Sequence, residues 1–361
     1  MRQDRYRTTV WRLTARVRPV WAAVAVTCLA IALLVSARVV DGFNRELLLN
    51  LGASLAFVPP TYLVFAPIFE RIRQTAAAIE EHLVLDIPKL IGYIARSHSK
   101  VWVLETWTGL LEDAHRPAFL DALTVALGNG VTVQILLLDP TSAAAHQRAE
   151  ELDDAAVPGL ITDNLRYLYE FRRTLDDNRR RLLDVRVYDA SPSVQLYRWD
   201  DKAFVSFFPI GKRAYDTRQI ETYLANPLGE FAESRFDGLW SATTTYPLEH
   251  HMTMVLCVHH ADRSPAEHRV AFVRTGEEIF VDGDPFIGTM TDHGIGALTV
   301  RLGPAENPTR RDGEVVSYRL ERLANCDPGF VGSVPKLFEG KYGDAGKDGR
   351  FVIHLRPAAV D

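Results

Sequence analysis

Cysteine is scarce. Three residues in 361, Cys28, Cys257 and Cys326, lie far apart and form no Cys-x-x-Cys pair. That excludes a disulfide framework and fits a reducing compartment. An excess of positive charge is also missing. The formal net charge is -5, so no global basic field argues for nucleic acid as a partner. No Gly-rich phosphate loop, no Gly-x-Ser-x-Gly elbow, no His-Glu-x-x-His helix and no repeat of fixed period occurs, which removes the commonest routes to nucleotide hydrolysis, serine hydrolysis and zinc proteolysis. Neither a cofactor nor a metal is expected.

What is present begins with charge asymmetry. The first 18 residues hold six arginines, Arg2, Arg5, Arg7, Arg12, Arg16 and Arg18, against Asp4. Two uncharged runs follow, Pro19–Ala37 and Leu47–Phe69. Each is long enough to span a hydrocarbon core of roughly 30 Å at about 1.5 Å per residue. The expectation is a two-helix transmembrane hairpin over residues 19–69. Arginines before the first run and after the second (Arg71, Arg73) put both termini in the cytoplasm. The abundance of Ala, Val and Arg points to a bacterial genome, and so to a bacterial inner membrane. Pro59, Pro60 and Pro67 would kink the second span. Neither span carries a charge, so an ion-coupled transporter has no support. Residues 70–97 show apolar positions at three- and four-residue steps, Ile72, Ala76, Ile79, Leu83 and Ile87, which predicts a linker helix.

The soluble part opens with the strand Lys100–Glu105. Pro117–Leu127 reads as an amphipathic helix. Asn129-Gly130 is a turn leading into a near-continuous apolar strand that ends at Asp139. Leu183–Asp189 is a third strand. Gln195–Gly211 reads as a hairpin with its corner at Asp200-Asp201, because Asp tolerates turn conformations and bonds its own backbone. Phe231–Trp240 is a closing helix. Strand ends in open α/β sheets are where ligands bind, so Asp139, Thr141, Ser142 and Arg148 are candidate pocket residues, with simple helix capping as the alternative. Arg198, Asp200, Lys202, Lys212 and Arg213 form a candidate ligand-binding rim whose cations suit a phosphate-bearing molecule.

This order of elements resembles one half of the phospholipase D-like superfamily, in the segments Phe119–Leu127, Gly130–Asp139, Val185–Gly211 and Phe231–Trp240. The resemblance covers roughly residues 98–243. It implies an α/β domain, and in the enzymes a His-x-Lys-x4-Asp motif whose histidine attacks phosphorus while the lysine stabilises charge. Here the equivalent stretch offers Tyr197, Arg198, Trp199, Asp200, Asp201 and Lys202, without the histidine. The match is therefore to a degenerate, membrane-anchored, non-catalytic member of the kind attached to bacterial regulators and effectors. Elsewhere one His-x-Lys pair has an acid at a similar distance: His98, Lys100 and Glu105, on the first strand.

From residue 248 to 361 short β runs alternate with turn signals such as Gly276, Asp282-Gly283-Asp284 and Asp312-Gly313, predicting a small sandwich or barrel. Seven of the 11 histidines fall there. His251 and His259, on one face of a single strand, would stand roughly 26 Å apart, too far to share a metal.

The fold expected is thus a membrane-anchored α/β protein with a transmembrane hairpin, a phospholipase D-like domain and a β-rich C-terminal domain. The expected function is non-enzymatic signalling through a phosphate-containing ligand, such as a nucleotide, or through a protein partner. The bilayer and a homodimer complete the expected partners, and nucleic acid is not among them. The alternative is a membrane-tethered phosphodiesterase working as a homodimer through His98, Lys100 and Glu105. A scaffold whose β domain docks another protein is the third reading.

Overall fold

The computed structural model describes residues 26–38, 46, 48–56, 79–259, 266–286, 299–302, 317–343 and 351–357. It divides into two compact units, Met1–Ala78 and Ile79–Asp361. In the first, residues 26–36 and 48–56 are helical. Gly52 lets the two helices meet, since a Cβ there would lie 2.8 Å from Leu34 Cγ. No described helix is long and apolar enough to cross a membrane. The transmembrane hairpin is therefore not supported, and the membrane anchor, the bilayer partner and the inner-membrane location fall with it. The rest of both runs, with Pro59, Pro60 and Pro67, lies outside the described residues.

The second unit starts with a difference from the sequence pattern. Ile79–His82 is a strand, β1, and not part of a linker helix. It pairs antiparallel with β7 (Gln219–Tyr223), Ile79 opposite Thr222 and His82 opposite Gln219. A free sheet edge overrode a weak helical periodicity. The helix begins later, at α1 (Ile87–Ala95), where Asp86 caps it by accepting from Lys89 N.

The sheet has eight strands in the order β1-β7-β6-β5-β2-β3-β4-β8. Its parallel centre is β2 (Lys100–Glu105), β3 (Thr132–Leu138) and β4 (Leu183–Tyr188). Helices α2 (Arg116–Gly128), α3 (Ala143–Leu152), α4 (Val157–Thr174) and α5 (Asp177–Leu182) fill the crossovers. Strand β3 is buried at every position from Ile135 to Leu138, as a strand covered on both faces must be. The hairpin β5 (Val194–Trp199) and β6 (Lys202–Phe207) joins antiparallel to β2 and turns at Asp200, whose φ is +53°. Helix α6 (Pro227–Trp240) covers one face; its Phe236 stacks on Trp102 of β2 at 4.3 Å. Short β8 (Tyr246–Pro247) and α7 (Leu248–Met252) lead out of the sheet, so His251 sits on a helix and not on a strand with His259.

Six strands then close into a barrel in the order β10-β11-β14-β13-β12-β9. They are β9 (Thr253–His259), β10 (Ala266–Thr275), β11 (Glu278–Asp282), β12 (Thr299–Leu302), β13 (Ser317–Arg322) and β14 (Val352–Pro357). Met254, Leu256, Val270, Val281, Leu320, Ile353 and Leu355 fill its interior. A helix absent from the sequence reading, α8 (Pro328–Tyr342), packs outside it. Tyr342 ties α8 to the barrel: its hydroxyl bonds Met252 O at 2.6 Å and accepts from Phe272 N at 2.9 Å.

Candidate functional site

Side chains alternate across a strand, and this sorts the candidate residues. Val103 of β2 lies opposite Tyr197 of β5, so Glu105, Gln195 and Tyr197 share a face. Arg198 and Trp102, the neighbouring pair, share the other.

The Glu105 face carries a buried polar network. Glu105 is 2 % exposed at the carboxyl end of β2. Gln195 Nε2 and Tyr197 Oη donate to its Oε1, the latter at 3.1 Å, and Thr106 N donates to Oε2 at 3.1 Å. Tyr197 Oη also bonds Thr108 Oγ1 at 2.9 Å, and Thr108 N donates to Asn164 Oδ1 at 2.7 Å. Burial pushes the Glu105 carboxyl up to about 7, against the lowering effect of the Gln195, Thr106 and Tyr197 bonds and the Arg148 charge. Burial, with the Glu105 charge added, raises the Tyr197 phenol well above its ordinary value.

Arg148 of α3, 2 % exposed, builds the wall beside this network. It donates to Glu151 Oε2 at 2.9 Å, Pro209 O at 3.0 Å and Lys212 O at 2.9 Å. It thereby fixes the loop after β6. That loop and the end of α3 enclose an open cleft of about 570 Å³ lined by Leu152, Asp153, Asp154, Gly211, Lys212, Arg213 and Asp216. Asp153 adopts the left-handed conformation, φ +51°, that ends α3 there. Arg213 sits 3.7 Å from Glu112 and 3.8 Å from Asp154, and donates to Tyr215 Oη at 2.7 Å. Thr106 Oγ1, Trp107 Nε1, Arg148 Nε and Gln195 Oε1 are buried with no hydrogen-bond partner among the described residues.

The other candidates are dispersed. Asp139 Oδ1 accepts from Thr141 N and Oγ1, both at 2.7 Å, and Ser142 caps α3 by accepting from Ala145 N at 3.1 Å. Those three residues do capping work. Asp139 Oδ2 accepts from Tyr246 Oη at 2.7 Å. Arg198, on the opposite face, lies 4.0 Å over the Trp102 ring and pairs with Glu233 at 2.9 Å. Lys202 pairs with Glu221 at 2.9 Å. Asp200 accepts from Ser99 N and Oγ at 2.8 Å and from His98 N at 3.0 Å, which ties the hairpin to the start of β2. The cationic rim is therefore internally neutralised, and only Lys212 and Arg213 reach the cleft. His98 precedes β2 and Glu105 ends it, so the length of the strand, roughly 17 Å at 3.3 Å per residue, separates them, and Lys100 points along the Trp102 face, its Nζ 5.6 Å from that ring.

Gln195, Asn164, Trp107 and Thr108 were missed in the sequence. The one available signal was the polar Gln195-x-Tyr197 pair inside an otherwise apolar strand. Among the described residues, two groups bring three metal-ligating side chains within 4.8 Å: Glu80, His82 and Glu221, and Glu321, Cys326 and His354. In the first, Lys202 and, at 3.8 Å, Lys89 already balance Glu221.

No family model matches the chain, and no curated protein matches it. Among the solved structures similar at low level are these two. One is TrmBL2, an archaeal chromatin protein with a novel mode of DNA binding, at 12 % identity and TM-score 0.28, over 53 % of this chain and 62 % of that one. The other is the phosphatidylserine synthase of Haemophilus influenzae Rd KW20, a phospholipase D-like superfamily member, at 17 % identity and TM-score 0.34, over 48 % of this chain and 39 % of that one. The chain spans less than two thirds of either, and likeness at this level carries no argument about activity. The expected exclusion of nucleic acid is likewise not supported. The lipid, nucleotide and homodimer partners gain no support from either.

Proposed function

We propose that this chain is a non-enzymatic signalling protein whose α/β unit binds a small polar molecule in the cleft lined by Asp153, Asp154, Lys212, Arg213 and Asp216. The observation that carries this reading is the pair Gln195 and Tyr197. They hold the inward face of β5 with the one-residue spacing of a His-x-Lys pair, and they bond Glu105. Neither is a nucleophile for phosphorus at neutral pH, because an amide has no basic lone pair to offer and the Tyr197 phenol is held protonated. The cleft offers both signs of charge: Asp153, Asp154 and Asp216 face Lys212 and Arg213. That set suits a zwitterion such as a free amino acid, its ammonium toward the aspartates and its carboxylate toward Arg213.

The test joins two measurements on the full chain. Hydrolysis of a chromogenic phosphodiester is followed, and the melting temperature is recorded against a panel of free amino acids. The reading predicts no turnover above buffer and a rise in melting temperature with at least one compound, lost in Arg213→Ala. Turnover that disappears in His98→Ala would restore the enzyme reading. No shift with any amino acid would remove the zwitterion from this cleft.

A further inference from the structure

The barrel carries a second site, far in sequence from the cleft residues. His354 of β14 lies directly opposite Glu321 of β13 in the antiparallel register, so both point to the same side of the barrel wall. That side is the outer one, since their neighbours Leu320, Ile353 and Leu355 fill the interior. The chain leaves β13 through a single 3-10 turn, Leu323–Asn325, and Cys326 N closes it on Leu323 O. This brings the Cys326 thiol back over the two strands. Its Sγ is 3.7 Å from His354 Nδ1, and Glu321 Oε2 is 4.0 Å from the same nitrogen.

The other imidazole nitrogen is already committed. His354 Nε2 lies 2.5 Å from Glu278 Oε2 of β11. A carboxylate there holds the proton on Nε2 and leaves the Nδ1 lone pair bare, facing the thiol and Glu321. The ring is clamped against Phe280, stacked at 4.6 Å, with Phe330 of α8 6.0 Å away. Only 2 % of His354 is exposed, whereas Cys326 and Glu321 are half-buried.

We propose that Glu321, Cys326 and His354 form a zinc site, with Glu278 as the carboxylate that orients the histidine. Ligand atoms of a tetrahedral zinc centre stand about 3.3–3.7 Å apart, given bonds of roughly 2.0–2.3 Å. The three atoms here, all within 4.8 Å of one another, need to close by only a few tenths of an ångström to 1 Å. One thiolate and one carboxylate neutralise the doubly charged ion, and a borderline-soft cation fits a mixed S, N, O set. Arg356 Nε, 2.8 Å from Glu321 Oε2, competes for that oxygen and would keep the other carboxylate oxygen or swing aside on binding. Three protein ligands leave the fourth position to water on the solvent side.

The experiment uses the full chain, stripped of metal with a chelator and titrated with Co2+ and then Zn2+. One equivalent of Co2+ is expected to produce the near-ultraviolet absorption of a thiolate–Co2+ bond, and Zn2+ to displace it. Cys326→Ser, checked for folding by circular dichroism, loses the band; Cys257→Ser keeps it. Glu278→Gln weakens the affinity by about 10–100-fold, the usual effect of losing an orienting carboxylate. A folded wild-type protein that gives no band overturns the site, as does a band that survives in Cys326→Ser.

Discussion

Tyr197 donates its hydroxyl to Glu105 Oε1 across 3.1 Å, from the strand position two residues beyond Gln195, which donates to the same oxygen. A single buried carboxyl thus organises two residues of β5, and its protonation state decides what the network costs.

The Glu105 carboxyl titrates at about 7 in the folded protein, raised by burial from 4.5. The folded state therefore holds a proton that the unfolded chain has released. Stability is fully present below pH 4.5 and declines as pH rises toward 7. The total loss is about 3 kcal/mol, at about 1.4 kcal/mol per pH unit. Glu105→Gln removes this titration. Denaturant midpoints compared at pH 5 and pH 8 are expected to drop more in the wild type than in the variant; equal drops would mean that Glu105 is already ionised at pH 5.

Asp200 holds the hairpin to β2 through His98 and Ser99. Partial burial alone raises its carboxyl, but the bonds from His98 and Ser99 outweigh it and hold the group below its ordinary value of 3.8. Asp200→Ala is expected to destabilise the fold by about 1–2 kcal/mol, the scale of a lost side-chain cap. The stabilisation is present above pH 3.8 and fades on acidification, so the difference between variant and wild type shrinks in acid melts.

Arg148 satisfies Pro209 O and Lys212 O and carries the cleft loop. Arg148→Leu leaves both carbonyls without their donor. The expected cost is about 2–4 kcal/mol. Limited proteolysis should then cut first between residues 208 and 213; a digestion pattern unchanged from wild type would show that the loop holds without Arg148.

Lys341 of α8 is half-buried against β10, its Nζ 3.0 Å from Phe272 O and 3.7 Å from the Phe272 ring centroid. Burial lowers its amine to about 7, with the Arg274 charge adding to the effect. The folded state here binds fewer protons than the unfolded one between pH 7 and 10.5, so stability rises with pH across that window. Lys341→Met keeps the packing and removes the desolvation cost. It is expected to stabilise the protein by about 1 kcal/mol at pH 6. At pH 10 the gain should vanish, which parallel melts at the two pH values check.

Local chemistry made several elements readable. Gly130, with φ +80°, turns the chain into the apolar strand β3, and Asp200 turns β5 into β6. Turn residues and unbroken apolar runs act over a few positions, so they survive translation from sequence to structure. Ile79–His82 did not, because its helical spacing was weak and the partner that made it a strand, Gln219–Tyr223, lies some 140 residues on. The helix Pro328–Tyr342 was hidden by its glycines and Pro335, which mask the apolar steps Val334, Phe338 and Tyr342. The membrane reading is corrected on a different ground: no described helix is long and apolar enough to cross a bilayer.

By itself, the sequence determined that residues 100–240 alternate strands with helices, that β5 lacks the His-x-Lys pair, and that turns punctuate the chain after residue 248. Only the tertiary structure decided that Gln195 and Tyr197 meet Glu105, and that Glu321, Cys326 and His354 converge around one point. Residue type is a local property. Proximity, burial and the pKa values they set depend on which strands pair, and strand pairing is chosen by the burial of the whole core.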